Sequence, residues 1–358
     1  MIVRNKHRNE IYSINFNKSL KDFFRASTKK YHNIALITDS NVHKIFHKEI
    51  MNKDINILKI FPGEKSKSNR VKEKLENKLL ELKFNRDSLI IAFGGGVIGD
   101  LTGYLASTYL RGVDLVHIPT SLVAIVDSSI GGKTGINNNK GKNLIGTFYN
   151  PKEIIVNSDF LKTLPNKEIR QGMAEIIKYG IIKDYNLFKK LEKINDNFLD
   201  NNEFEINKIL KKCIKIKVEV IQKDFKESDL RSILNFGHTI GHGLEKLYSY
   251  KKSHGDCIGT GMAIESLIAK KYLEFSSGDY KRILKILDKY HLRKTIYKKS
   301  DIPKILEFIK LDKKNKKSKI TFSLPDKIGN IKKRNKKFTV EITDKKIEQT
   351  LKEYLNEI

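Results

Sequence analysis

Four side chains of this 358-residue chain, between positions 175 and 254, carry the strongest chemical signal: Glu175, His238, His242 and His254. His238 and His242 frame the segment HTIGH, so on a helix their imidazoles lie one turn apart on a common side. His254 follows after a loop and heads His254-Gly255-Asp256. Glu175 lies in the helix-like run EIRQGMAEIIKYGII, where Lys178, three residues on, shares its face. Two or three imidazoles with one carboxylate form an ordinary donor set for catalytic zinc or a similar divalent ion, with a coordination position left for substrate.

A second kind of chemistry is written in glycine. Eleven of the 22 glycines fall between positions 94 and 146. Gly94-Gly95-Gly96-Val97-Ile98-Gly99 follows the apolar run Ser88–Phe93 and opens a helical pattern, which is the GxGxxG arrangement in the context it requires. Such glycines let the backbone approach a pyrophosphate, and the helix N-terminus favours its charge. Asp114 stands at the usual spacing for a ribose-binding acid, but its neighbours read as the interior of a strand. A further cluster, Ser128–Gly135 followed by Lys140-Gly141-Lys142-Asn143, reads as a glycine-rich loop whose lysines suit phosphate or carboxylate. It is not a P-loop, because Asp127 occupies the place of the upstream glycine.

The elements that must position these groups follow from periodicity. Ile34–Thr38, Ile55–Phe61, Ser88–Phe93 and Val113–Ile118 read as strands, and 67–83 as an amphipathic helix. Strand alternating with helix implies a parallel sheet with helices on its faces. From Asn166 onward the pattern is mostly helical, with one late strand-like piece, Lys319–Leu324. The expected organisation is therefore an α/β Rossmann-like nucleotide-binding domain over residues 1–165, then a mainly α-helical metal-binding domain over 166–358, with the active site between them.

Composition narrows the class. No apolar run approaches the ~20 residues needed to span a bilayer, and MIVRNKHRNEIYSINF lacks the apolar core of a signal peptide. Cys213 and Cys257 form no CxxC pair and no disulfide framework, which suits a reducing cytoplasm. The net charge is +28, yet residues 91–150 contribute only +1 of it. The excess is spread over the rest of the chain with abundant Ile and Asn, a surface-wide bias; no nucleic-acid or membrane partner is expected. A positive field does help gather anionic small molecules.

Five blocks together resemble the 3-dehydroquinate synthases: FGGGVIGDLTGYLASTYLRGVDLVHIPTSLVAIVDSSIGGKTGIN, GKNLIGTFYNPKEI, EIRQGMAEIIKYGII, NFGHTIGHGLE and SHGDCIGTGM. They occur in the family's order over roughly residues 39–324. The resemblance implies an NAD-binding first domain and a helical second domain that binds metal and substrate. It implies Glu175, His238 and His254 as ligands of zinc or cobalt. Cofactor contacts would come from Asp39, Gly63, Glu64, Lys65, Ser66, Lys67, Gly96, Val97, Ile98, Gly99, Asp100, Thr120, Ser121, Phe160, Leu161, Lys162 and Thr163, with Asp127, Lys133 and Lys142 close to both cofactor and substrate. Substrate and catalytic contacts would come from Arg111, Asn143, Lys178, Lys217, Arg231, Asn235, His242 and Lys319. His242 is the candidate for proton transfer, since imidazole titrates near working pH.

The implied reaction turns 3-deoxy-D-arabino-heptulosonate 7-phosphate into 3-dehydroquinate and phosphate, within the shikimate pathway, by transient oxidation at NAD, β-elimination, reduction and an intramolecular aldol closure. The resemblance further implies a cytoplasmic homodimer. Two departures stand out: Asp256 and Cys257 where the family has HGEAV, and Gly243-Leu244 where it often has GHAIE. Another sugar phosphate cyclase, such as a 2-deoxy-scyllo-inosose synthase, would share the metal and NAD sites and differ in the substrate pocket; Arg231, read as a carboxylate or phosphate partner, favours dehydroquinate. A metal-dependent alcohol dehydrogenase would share the layout but accumulate NADH.

Overall fold

The computed structural model describes residues 1–5, 10–52, 54–311 and 320–357. The chain divides into two compact units, Met1–Pro165 and Asn166–Ile358.

The first unit is built on a seven-stranded sheet. Its strands are β1 (Ile2–Asn5), β2 (Glu10–Phe16), β3 (Ile34–Asp39), β4 (Asn56–Ile60), β5 (Leu89–Gly94) and β6 (Asp114–Pro119), joined by β9 (Glu153–Val156). Between β6 and β9 the chain forms a separate antiparallel hairpin, β7 (Lys133–Asn138) with β8 (Gly141–Phe148). The spatial order is β1-β2-β9-β6-β5-β3-β4, parallel throughout except for the β1–β2 pair. Every residue of β5 is buried, as a strand covered on both faces requires. Helices α1 (Leu20–Lys30), α2 (Ser40–Ile50), α3 (Asn69–Glu81) and α4 (Gly96–Thr108) supply the cover. Leu75, Leu79, Leu101 and Leu105 bury one face of the sheet; Phe46, Phe93 and Phe160 meet edge to face on the other. Each such side chain contributes about 1.5–3 kcal/mol by leaving water.

The four strands read from periodicity are present to within a residue, and the helix expected over 67–83 is trimmed to α3 because Ser68 accepts from the Val71 N–H and caps it. The glycine-rich loop expected over Ser128–Gly135 and Lys140–Asn143 runs instead into the β7–β8 hairpin. Its glycines are where backbones touch: a Cβ on Gly146 would lie 2.0 Å from the Thr134 carbonyl oxygen, and one on Gly135 2.5 Å from that of Ile145.

The second unit contains α5 (Asn166–Lys183), α6 (Tyr185–Lys193), α7 (Glu203–Lys223), α8 (His238–Leu247), α9 (His254–Tyr272), α10 (Ser277–Lys289), α11 (Ile302–Lys310) and α12 (Asp344–Tyr354), with a small ribbon of β10 (Thr321–Phe322) and β11 (Val340–Glu341). α9 is the central element, buried continuously from Cys257 to Ala269. A helix apolar on all sides must be surrounded, and α5, α8, α10 and α12 pack around it. No helix among the described residues is long and apolar enough to cross a membrane.

Candidate active site

In the helical unit, Glu175, His238 and His254 come together, with one donor atom of each lying within 4.8 Å of the others. Glu175 projects from the middle of α5, while His238 and His254 are the first residues of α8 and α9. Glu175 Oε1 lies 3.0 Å from His254 Nε2 and 3.4 Å from His238 Nε2. Ligand atoms at tetrahedral angles and about 2.0–2.1 Å from a zinc ion lie roughly 3.3 Å from one another, so the observed spacings fit a divalent ion.

The far sides of both rings support this. His238 Nδ1 donates to the Phe236 carbonyl at 3.1 Å, and His254 Nδ1 donates to Glu245 Oε1 at 3.2 Å. A carbonyl and a carboxylate only accept, so both Nδ1 atoms carry hydrogen and both Nε2 atoms face Glu175. That is the orientation metal-binding histidines take from their outer partners. Glu245 was not singled out from the sequence; its spacing of seven from His238 along one helix face was the available signal.

Glu175 and Lys178 are almost wholly buried and form a direct ion pair. Burial alone would raise the Glu175 carboxyl, but the Lys178 ammonium and the two imidazoles hold it well below the usual carboxylate range. His238 is pushed down to about 3 by burial and by Lys178, which keeps it neutral and able to donate a lone pair. Burial works against charge on His254 too, but its hydrogen bonds to Glu175 and Glu245 raise it to about 10.

Other residues expected to meet substrate lie in the same unit. His242 stands one turn beyond His238, its ring 5.3 Å away and perpendicular. Lys217 on α7 and Arg231 are buried. The Arg231 guanidinium donates to the Phe225 carbonyl at 2.6 Å, and Asn235 donates to Glu227 at 2.7 Å. Asp256, the departure from the family pattern, pairs with Lys294 at 3.1 Å. Lys319 lies outside the described residues.

In the α/β unit, α4 starts directly after β5 with no side-chain cap, so its terminal N–H groups remain available for an anion. Gly94 allows this sharp entry: a Cβ there would fall 2.6 Å from the Ile98 side chain. Lys67, buried, reaches both Asp100 on α4 and Asn143 on the hairpin, while Asn137 donates to Glu64 at 2.7 Å. The 63–67 loop, the start of α4 and the hairpin are thus tied into one cluster, with Lys142 half-buried and Gly63, Lys65 and Lys133 exposed. Thr120 and Ser121 follow β6, and Asp127 lies on a short π turn, Ala124–Ser128. Arg111 is exposed within a left-handed stretch spanning Leu110 to Gly112. Asp39 caps α2 through one carboxylate oxygen, Oδ1, and the side chains of Ile98, Phe160 and Leu161 are core. Val97, Gly99, Ser66, Lys162 and Thr163 border these same segments. Asp114 is engaged by Tyr31 at 2.7 Å and Lys152 at 3.3 Å.

Residues 57–171 match the family model for the 3-dehydroquinate synthase N-terminal region, and residues 172–315 the model for its C-terminal region. The chain belongs to the 3-dehydroquinate synthase family. A 3-dehydroquinate synthase of Alkaliphilus metalliredigens is 42% identical over 303 residues, covering 83% of this chain and 85% of the relative. One of Rippkaea orientalis is 47% identical over 255 residues, 70% of each chain. The fold is shared with a solved 2-deoxy-scyllo-inosose synthase in complex with carbaglucose-6-phosphate, NAD+ and Co2+, with a TM-score of 0.86 at 23% identity and 99% coverage of both chains. It is also shared with a 2-epi-5-epi-valiolone synthase of Streptomyces hygroscopicus with NAD+ and Zn2+ bound, with a TM-score of 0.86 at 22% identity and 97% coverage of both. Membership in the 3-dehydroquinate synthase family makes the chain a lyase of the phosphate-eliminating kind.

Proposed function

We propose that this chain converts 3-deoxy-D-arabino-heptulosonate 7-phosphate into 3-dehydroquinate and inorganic phosphate, with NAD and one zinc or cobalt ion as resident cofactors, as a cytoplasmic homodimer. The observation that carries the reading is the Glu175–His238–His254 donor set, with both imidazoles oriented by outer partners. NAD would supply a reversible hydride acceptor, and the ion held by the three ligands a Lewis acid for the hydroxyl being oxidised.

The chain's own residues would then bind, orient and move protons. Lys178 keeps Glu175 ionised. Arg231, anchored by its bond to the Phe225 carbonyl, would meet a carboxylate or phosphate of the substrate, with Lys217 as a second buried cation. Asn235 would hydrogen-bond a substrate hydroxyl, and His242 would exchange a proton with it. In the α/β unit, the open start of α4 would take the cofactor's diphosphate, and Lys133, Lys142, Asn143 and Arg111 would meet the substrate's anionic groups.

The test follows phosphate release from the heptulosonate phosphate with catalytic NAD, with and without chelator, while recording NADH absorbance. Stoichiometric phosphate, no net NADH and loss of turnover with chelator are expected. Steady NADH without phosphate, or phosphate released only from a hexose phosphate, would overturn the reading.

A further inference from the structure

Helix α8 starts under unusual constraint. Its first residue is the ligand His238, and the residue before it, Gly237, is left-handed (φ 79°) and offers no side chain to cap the exposed N–H groups. Those groups are instead satisfied from the neighbouring helix. Glu265 of α9, completely buried, accepts from the Gly237 N–H at 2.7 Å through Oε2 and from the Ile240 N–H at 3.0 Å through Oε1. Its two oxygens therefore grip the backbone on both sides of His238.

The close approach this needs comes from glycine. A Cβ on Gly261 would lie 2.0 Å from the Gly237 carbonyl oxygen, and one on Gly237 would lie 2.4 Å from the Met262 side chain. Glu265 stands one turn beyond Gly261 on α9, so the carboxylate rises at the end of α8 once the two backbones touch. A buried carboxylate at a helix N-terminus is stabilised there by the converging N–H groups.

The peptide that Glu265 grips is also the one that orients the ligand. The Gly237 N–H and the Phe236 carbonyl belong to the same planar amide. The N–H donates to Glu265, and the carbonyl accepts from His238 Nδ1. A carboxylate–amide–imidazole relay results, in which hydrogen bonds at the two ends of one polarisable group strengthen each other. His254 receives its carboxylate partner, Glu245, directly; His238 receives Glu265 through one peptide.

We infer that Glu265 is a positioning residue for the metal centre: it fixes the Phe236–Gly237 amide and thereby the direction in which His238 presents Nε2. It does not touch substrate, cofactor or ion. The inference rests on the reading of Glu175, His238 and His254 as metal ligands. Outer partners of metal-bound histidines change affinity by about 10–100-fold when removed.

The test uses the full chain with Glu265→Gln and Glu265→Ala. Glutamine preserves shape but turns an amide NH2 toward one of the two N–H donors, so it is expected to fold and to lose half of the grip. Cobalt affinity is measured by chelator competition, the Co2+ ligand-field spectrum in the visible range is recorded, and NAD affinity, which belongs to the other unit, serves as the control. At least a tenfold weaker affinity for Co2+ with a shifted ligand-field spectrum and unchanged NAD affinity is expected. If Glu265→Gln lowers thermal stability but leaves Co2+ affinity within twofold of wild type and the spectrum unchanged, Glu265 is merely structural and the inference fails, whether or not Glu265→Ala folds. If the wild-type chain gives no Co2+ spectrum of its own, the metal-site reading itself falls, and the positioning role with it.

Discussion

Replacing Asp224 by Asn is expected to loosen the loop that carries Arg231, and the structure sets the size of the effect. Asp224 is the C-cap of α7. Its Oδ1 accepts from the Ser228 N–H at 2.8 Å and the Ser228 hydroxyl at 2.9 Å; its Oδ2 accepts from the Asp229 N–H at 2.8 Å and the Arg231 N–H at 2.9 Å. Asparagine keeps one carbonyl oxygen, so whichever way its amide turns, an NH2 confronts hydrogen-bond donors. Two bonds to a charged acceptor are lost, each worth about 1.5–3 kcal/mol; with partial relaxation the net cost is about 3 kcal/mol of stability. Arg231 then loses its fixed backbone, and KM for the heptulosonate phosphate should rise at least tenfold while Co2+ affinity, set elsewhere, is retained. The pH dependence has a definite sign. Burial would raise Asp224, but the Arg231, Ser228 and Asp229 N–H groups bring it down to about 2 from the ordinary 3.8. A group depressed on folding contributes stability that is fully present above its unfolded value and is lost as pH falls through its folded value. The gap between wild type and Asp224→Asn, read from urea unfolding by circular dichroism, should therefore be flat from pH 7 to 5 and close only below about 4. Equal stability at pH 7, or a gap already shrinking between pH 7 and 5, would refute the reasoning.

Glu175→Ala should abolish metal binding, and wild-type zinc content measured by atomic emission in that variant would remove Glu175 from the ligand set. The same change strands the buried Lys178, so a loss of about 3–5 kcal/mol in stability should accompany it. His242→Ala should keep its metal and lose about 10²–10⁴-fold in kcat, the usual share of a general acid–base group; retained turnover with lost metal would show that His242 serves the ion rather than the proton.

The candidate metal cluster was legible in part: spacing singled out Glu175, His238, His242 and His254 together, and only the family resemblance separated His242 from the set of three that the fold brings together. The β7–β8 hairpin was not, because Gly135 and Gly146, which look like loop residues in sequence, are there for backbone contact between two strands. Asp114 shows the converse. Its spacing suits a ribose-binding acid, yet Tyr31 and Lys152, distant in sequence, claim its carboxylate. Glu265 was missed for the same reason that it matters: a buried carboxylate acquires its role from partners on another element, here the N–H groups of α8; for Glu245 the only signal along the chain was its spacing of seven from His238.

That dependence explains why His238 and His254 differ so much in proton affinity. Both begin a helix, where the positive end of the dipole disfavours an imidazolium, and both lose hydration. His238 is pushed down to about 3 by burial and by the Lys178 ammonium, with only the neutral Phe236 carbonyl on its outer nitrogen. His254 has a carboxylate on each nitrogen, Glu245 outside and Glu175 inside, and rises to about 10. Two residues of one type, at equivalent positions on two helices, are thus driven in opposite directions, His238 down by burial and the Lys178 ammonium and His254 up by its bonds to Glu175 and Glu245. The site is specified as much by the partners that aim its ligands as by the ligands themselves.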